Sequence, residues 1–172
     1  MENPICFFTA TNLKWQHLLK PDKYKHIIID SLKFLAADNR VWIYGFVVMP
    51  NHIHHLWRLK EPHKQEEVQR DFLKFTAQKI KEDLIVNHPA VLPLFISTQS
   101  DRKYQFWERR AYSAVISTRA SLEQRLDYIH LNPVQEKWKL ASLPENYMFS
   151  SARYYLLNEN DRSFITHYTE HI

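Results

Sequence analysis

Glycine is nearly missing from the chain, which has 172 residues and a single Gly, Gly45. Phosphate loops of the Walker or dinucleotide-binding kind need several glycines, because phosphate must approach a backbone that carries no Cβ. Nucleotide hydrolysis is therefore not expected. Cysteine is equally scarce: one residue, Cys6, allows no internal disulfide and no multi-cysteine zinc site, which fits a reducing compartment. No apolar run approaches the ~20 residues that span a bilayer, and Met1-Glu2-Asn3-Pro4 lacks the basic start of a secretion signal. The expectation is a cytoplasmic protein without a membrane partner. Low-complexity stretches, internal repeats and Gly/Ser linkers are missing too, so 1–172 reads as a single domain.

What is present is ordinary for a folded protein, with 45% hydrophobic and 24% charged residues. The 23 Lys and Arg against 19 Asp and Glu leave a formal charge of +4, a mild lean toward an acidic partner such as nucleic acid. Aromatic residues, 14% of the chain, can fill a core or offer faces on which bases stack.

Strands alternate with helices. Ile5 to Thr11 is rich in β-branched and aromatic residues and is bounded by Pro4 and Asn12, as a strand should be. From Asp22 to about Asp38, Tyr24, Ile28, Leu32 and Leu35 recur at helical spacing. Val41 to Met49 is nearly all apolar, Pro50-Asn51 stops it, and His52 to Leu59 resumes, which predicts a hairpin. A second helix is predicted from about Lys64 to Val86, with Leu73, Ala77, Ile80 and Leu84 on one stripe and Arg70, Lys74, Gln78 and Lys81 on another. Asn87 to Asp101 reads as an irregular connection, and Tyr104–Trp107 and Ala111–Ile116 as short extended pieces. A third helix is expected from near Ser121 to before Pro133, since proline disfavours helical geometry in its predecessor. The pattern predicts an α+β fold in which helices pack on an antiparallel sheet.

His52 and His54 stand two apart on a predicted strand, so the pleat points both imidazoles to one side, with Ile53 and His55 opposite. Two nitrogens can share one divalent ion, although ten histidines in 172 positions give roughly 0.6 such pairs by chance. Two ligands also leave a metal under-coordinated. On the third helix, Leu122, Leu126 and Ile129 form the apolar stripe and leave Tyr128 and Asn132 one turn apart on a more polar face with Gln124 and Arg125. Tyr128 could act as a phenolate nucleophile and Asn132 as an amide ligand. By spacing alone a half-buried tyrosine and a helix-capping asparagine are the better reading.

The company of these residues is more specific. Phe46 to Leu59, FVVMPNHIHHLWRL, resembles the strand-turn-strand segment of the HUH single-tyrosine transposases, the IS200-like and REP-associated group, whose motif is His-hydrophobic-His after Met-Pro-Asn. Tyr128 to Val134, YIHLNPV, is similar to the helix that carries that family's nucleophile. Phe149 to Tyr155, FSSARYY, resembles its C-terminal aromatic-Ser-Ser segment, and Phe106-Trp107-Glu108-Arg109 its sequence ahead of the tyrosine helix. The blocks fall in the family's order across about residues 5 to 155. His55 stands where an apolar residue is common, and Phe149 replaces a frequent Trp.

The resemblance implies a ferredoxin-like or RRM-like HUH core. It implies a transposase that nicks and rejoins single-stranded DNA through a 5′-phosphotyrosine intermediate, with Tyr128 as nucleophile and His52, His54 and Asn132 holding Mg²⁺ or Mn²⁺. It further implies single-stranded or hairpin DNA as partner, a homodimer, and residence on the nucleoid when DNA is bound. Arg70, Lys74, Lys81, Arg109, Arg110 and Arg153 are the candidate phosphate contacts, although for each one taken singly a solvated charge is the better reading. A free tyrosine ionises near pH ~10, so attack near neutrality needs help from a metal or a base. Two rivals stand beside this reading. One is a host-adopted DNA-binding module that keeps the fold without transposition; the other is a metal-dependent phosphodiesterase that uses water.

Overall fold

The computed structural model describes residues 2–159 and 163–172. Strands β1 (Ile5–Thr11), β2 (Val41–Val48), β3 (His52–Leu59) and β4 (Tyr112–Ile116) form one antiparallel sheet in the order β2-β3-β1-β4. Helices α1 (Asp22–Ala37) and α2 (Gln65–Asn87) make the crossovers before β2 and before β4. This β-α-β-β-α-β path with the first and third strands central is the ferredoxin-like arrangement. Helix α3 (Arg119–Leu131) follows β4, and a short α4 (Ala152–Leu156) lies near the C-terminus.

The strand alternation divides the interior in two. Phe8, Ile43, Phe46, Ile53 and Trp57 join Ile28, Leu32, Phe72 and Ile80 of α1 and α2 in one cluster. Phe7, Tyr44, Val47 and Leu56 join Leu122, Leu126 and Ile129 of α3 in the other. Cover on both faces, by α1 on one and α3 on the other, explains the unbroken apolar run of β2.

The buried stripe of α2 differs from the one its sequence predicts: it runs through Val68, Phe72, Thr76, Ile80 and Leu84, while Leu73 and Ala77 are only half-buried beside it. The polar Thr76 hides the true period. Its hydroxyl donates to the Phe72 carbonyl at 2.9 Å and accepts from the Trp107 indole at 3.2 Å, so it is satisfied inside the core. Tyr104–Trp107 makes only isolated bridges, Ile96 with Tyr104 and Asn12 with Trp107, rather than a strand.

Gly45 has a packing role. A Cβ at that position would lie 2.5 Å from Leu126 Cδ1 and 3.2 Å from Ser151 Oγ. The one glycine therefore lets α3, the tyrosine-bearing helix, settle directly on β2.

Candidate functional site

The site lies on the α3 face of the sheet. The pleat of β3 turns His52 and His54 to that face, with ring centroids 4.8 Å apart. His55 turns to the other face, fully buried and stacked on Phe8 at 4.5 Å, so it cannot compete with the pair for an ion. Helix α3 begins at the N-cap Thr118, whose hydroxyl accepts from the Ser121 amide at 3.1 Å. Its stripe Leu122, Leu126 and Ile129 packs down and leaves Tyr128 beside His54, with ring centroids 5.3 Å apart. Phe7 lies under both, parallel to His54 at 5.3 Å and edge-on to Tyr128 at 6.3 Å. Tyr128 is 42% exposed, and among the described residues its hydroxyl makes no hydrogen bond. One chain thus assembles the tyrosine and the histidine pair.

Each histidine is held from behind. The His54 Nδ1 lies 2.6 Å from the Thr9 hydroxyl, across the β1–β3 pairing that sets Thr9 opposite His54. The His52 Nδ1–H donates to the Asn51 side-chain oxygen at 2.7 Å. Such partners fix ring orientation and leave the Nε2 atoms to act as ligands. Burial is the main cause that pushes the histidines down, His52 to about 4 with help from Lys137 and His54 to about 3 with help from His52, His55 and Arg125. Both rings are neutral at physiological pH, the form that binds metal.

Among the described residues several buried polar atoms have no hydrogen-bond partner, Asn12 Oδ1 and both His55 nitrogens among them, and two of these atoms belong to the predicted ligands: His54 Nε2 and the side-chain oxygen of Asn132. Asn132 caps α3 one turn after Tyr128, and its backbone N–H donates to the Tyr128 carbonyl. Orphaned buried acceptors are costly unless something fills them. Two imidazole nitrogens and an amide oxygen suit a divalent ion that keeps open positions for water or phosphate. The residues present therefore fit a divalent ion. Among the described residues no group of three or more His, Cys, Asp or Glu side chains gathers to hold an ion, here or elsewhere, so a third ligand at this site has to come from another residue type such as Asn132.

Arg125, one turn before Tyr128, lies with its guanidinium carbon 4.7 Å from the Phe7 ring centroid. Among the described residues it has no carboxylate partner. Trp15 and Trp138 flank His52, at 6.4 and 5.8 Å between centroids.

Five of the six predicted phosphate contacts line one cleft. Arg70, Lys74 and Lys81 of α2 face Arg109 and Arg110 across about 700 Å³, and Arg102 and Lys103 join them. The wall is fixed beside the site, because the Glu108 N–H donates to the Thr11 carbonyl at 2.7 Å and Thr11 pairs with His52. Arg153 lies apart on α4, with its Nε 2.7 Å from Glu159.

Sequence reasoning missed the supporting residues. Thr9 has no motif of its own, and Asn51 reads as a turn residue before its amide is seen to orient His52.

Among solved structures, one of a REP-associated tyrosine transposase bound to a REP hairpin aligns at a TM-score of 0.63, covering 96% of this chain and 84% of that one at 17% identity. The chain shares that transposase fold. A Deinococcus radiodurans protein provisionally named a transposase aligns at a TM-score of 0.47, over 74% of this chain and 91% of that one, also at 17% identity. No family model and no curated protein matches the sequence. Among the described residues no helix is long and apolar enough to cross a membrane.

Proposed function

We propose that the protein is a tyrosine transposase that cleaves and rejoins single-stranded DNA, with Tyr128 as the nucleophile. The observation that carries the reading is the placement of Tyr128 against His54, at 5.3 Å between centroids, beside two orphaned acceptors on a chain with a tyrosine-transposase fold. Its half-exposed phenol can reach a phosphate in solvent, while the histidines behind it stay neutral and fixed. The metal ligands are His52, His54 and Asn132. A Mg²⁺ or Mn²⁺ ion held there supplies Lewis-acid polarisation of the scissile phosphate and offsets its developing charge.

The Tyr128 oxygen forms a bond to phosphorus as the bond from phosphorus to the 3′ oxygen breaks. The phenol gives up its proton, and the departing 3′ oxygen takes one up. The number of phosphodiester bonds is conserved, so rejoining needs no nucleotide, in keeping with a chain that has one glycine. Arg125 adds a positive charge beside the reacting phosphate, unpaired among the described residues and steadied by Phe7. No residue from a second copy is needed, because Tyr128 and His54 already meet within one chain.

The basic cleft binds the phosphates of a DNA hairpin, and the single strand continues around the Thr11–Asn12 end of the sheet to the site. The hairpin reading is supported by the solved transposase of the same fold, which is bound to one. Such a protein works on the nucleoid in the cytoplasm. Incubation with hairpin DNA from the flanks of its own gene, with Mn²⁺ or with chelator, tests the reading. A metal-dependent protein–DNA species that survives boiling in detergent and vanishes in Tyr128→Phe is expected. Tight binding with no such species points to a DNA-binding module instead, and cleavage retained in Tyr128→Phe points to a phosphodiesterase that uses water.

A further inference from the structure

Four rings follow one another across the α3 face, each in contact with the next: Tyr128, His54, His52 and Trp15, at 5.3, 4.8 and 6.4 Å between centroids. The proposed nucleophile stands at one end and Trp15 at the other; Trp138, 5.8 Å from His52, is half-buried against His17 and offers less open face. Trp15 is 63% exposed, in a chain where Trp57 and Trp107 are buried. Packing therefore does not explain it. Nor does backbone preference: Lys14 and Trp15 both take positive φ, 52° and 57°, a region L-residues rarely adopt.

Local bonds hold this turn in place. The Asn51 side-chain amide donates to the Trp15 carbonyl at 3.3 Å, while its oxygen accepts from His52 Nδ1–H at 2.7 Å. The Lys14 N–H donates to the Glu108 carboxylate at 2.7 Å. One asparagine thus sets both the His52 ring and the loop that presents the indole.

We infer that Trp15 is the platform for a DNA base, that of the nucleotide on the 5′ side of the cleaved bond. The inference rests on the tyrosine-transposase reading. Attacking and leaving oxygens lie roughly in line across a reacting phosphate. With the phosphate over the histidine pair and Tyr128 on one side, the leaving 3′ oxygen and its nucleotide lie on the other, toward Trp15. Stacking on an indole tolerates any base, because every base has a π-face. It would keep the released 3′ end in place for rejoining, while the other strand end stays bonded to Tyr128.

The test is binding in chelator, where no cleavage intervenes, read by fluorescence anisotropy. The probes are a labelled oligothymidylate and an abasic deoxyribose-phosphate strand of the same length. Wild type should bind the thymidylate more tightly by about 5- to 100-fold, and Trp15→Ala should lose that preference while still binding the abasic strand as wild type does. Trp15→Phe should keep most of the preference. Trp15→Gly should lose it with a Tm unchanged or raised by a few degrees, since glycine accepts the positive φ. Equal preference in wild type and Trp15→Ala, or a Tm fall of about 10 °C or more in Trp15→Gly, overturns the assignment and leaves the nuclease reading intact. If wild type binds neither strand, this assignment falls, while the nuclease reading is decided separately on hairpin DNA. On a hairpin with a mapped cleavage site, 5-iodouracil on the 5′ side of the cleaved bond should photocrosslink to Trp15. A crosslink formed only from the 3′ side overturns the polarity.

Discussion

Thr9→Val removes one hydroxyl from behind the site and nothing else of its shape. Valine is nearly isosteric with threonine and suits a strand, so β1 should keep its register and the fold its Tm. What changes is the back of His54. When Nε2 faces a metal, the ring proton must sit on Nδ1, and the Thr9 oxygen at 2.6 Å is its acceptor. A valine side chain there would leave that buried N–H unpaired in the metal-bound state, whereas the metal-free ring can still choose either tautomer. The cost of an unpaired buried donor is about 1–3 kcal/mol, and supporting partners of metal-bound histidines typically contribute about 10- to 100-fold in affinity. The two magnitudes agree. Calorimetric titration with Mn²⁺ should thus show a loss of about 10- to 100-fold for Thr9→Val, and Thr9→Ser, which keeps the oxygen, should stay within a few-fold of wild type. An unchanged Mn²⁺ affinity in Thr9→Val, or an equal loss in Thr9→Ser, would mean that His54 does not bind the ion through Nε2.

Acid should unfold the metal-free protein in a characteristic window. Burial holds His52 and His130 down to about 4 and His54 and His55 to about 3, so the unfolded chain binds more protons than the folded one at any pH between these values and about 6.5. The stability from these four groups is fully present above pH ~6.5 and is lost as pH falls toward their folded values; unfolding near pH 5 should take up about four protons, measurable in buffers of different ionisation enthalpy. Gly45→Ala should lower stability by about 1–3 kcal/mol, because its methyl meets Leu126 at 2.5 Å, and should also slow strand cleavage by displacing α3; an unchanged Tm would show that Leu126 yields freely. In the basic cleft, Lys74→Ala or Arg110→Ala should each reduce the slope of log affinity against log salt by about 1, whereas Arg153→Ala, whose guanidinium is engaged by Glu159, should leave it unchanged.

The strands were legible because their signal has a period of two: the same alternation that separates Phe7 from Phe8 puts His52 and His54 on one face and His55 on the other. The stripe of α3 was legible for a similar reason, with Leu122, Leu126 and Ile129 buried as expected. In α2 the period was obscured by Thr76, a polar residue made tolerable inside by its bonds to Phe72 and Trp107. The meeting of Tyr128 with His54 is not written in either segment. It depends on α3 crossing β2 where Gly45 leaves room for Leu126, a contact between residues far apart in sequence. Thr9 and Asn51 could not be singled out because their roles are hydrogen bonds to rings, and a strand threonine or a turn asparagine carries no mark of its partner. The basic cleft was half legible: the cations of α2 share a face by helical period, but only the fold brings Arg109 and Arg110 opposite them.

The most direct measurement is to cleave hairpin DNA labelled at one end or the other and to find which label stays with the protein after boiling in detergent, with the linked peptide identified by mass spectrometry. Attack by Tyr128 on the 5′ phosphate of the downstream fragment predicts that a 3′ label is retained on the peptide containing Tyr128, while a 5′ label leaves on a strand ending in a free 3′ hydroxyl. Cleavage with both labels released, or a label carried by any other residue, would contradict a Tyr128 nucleophile.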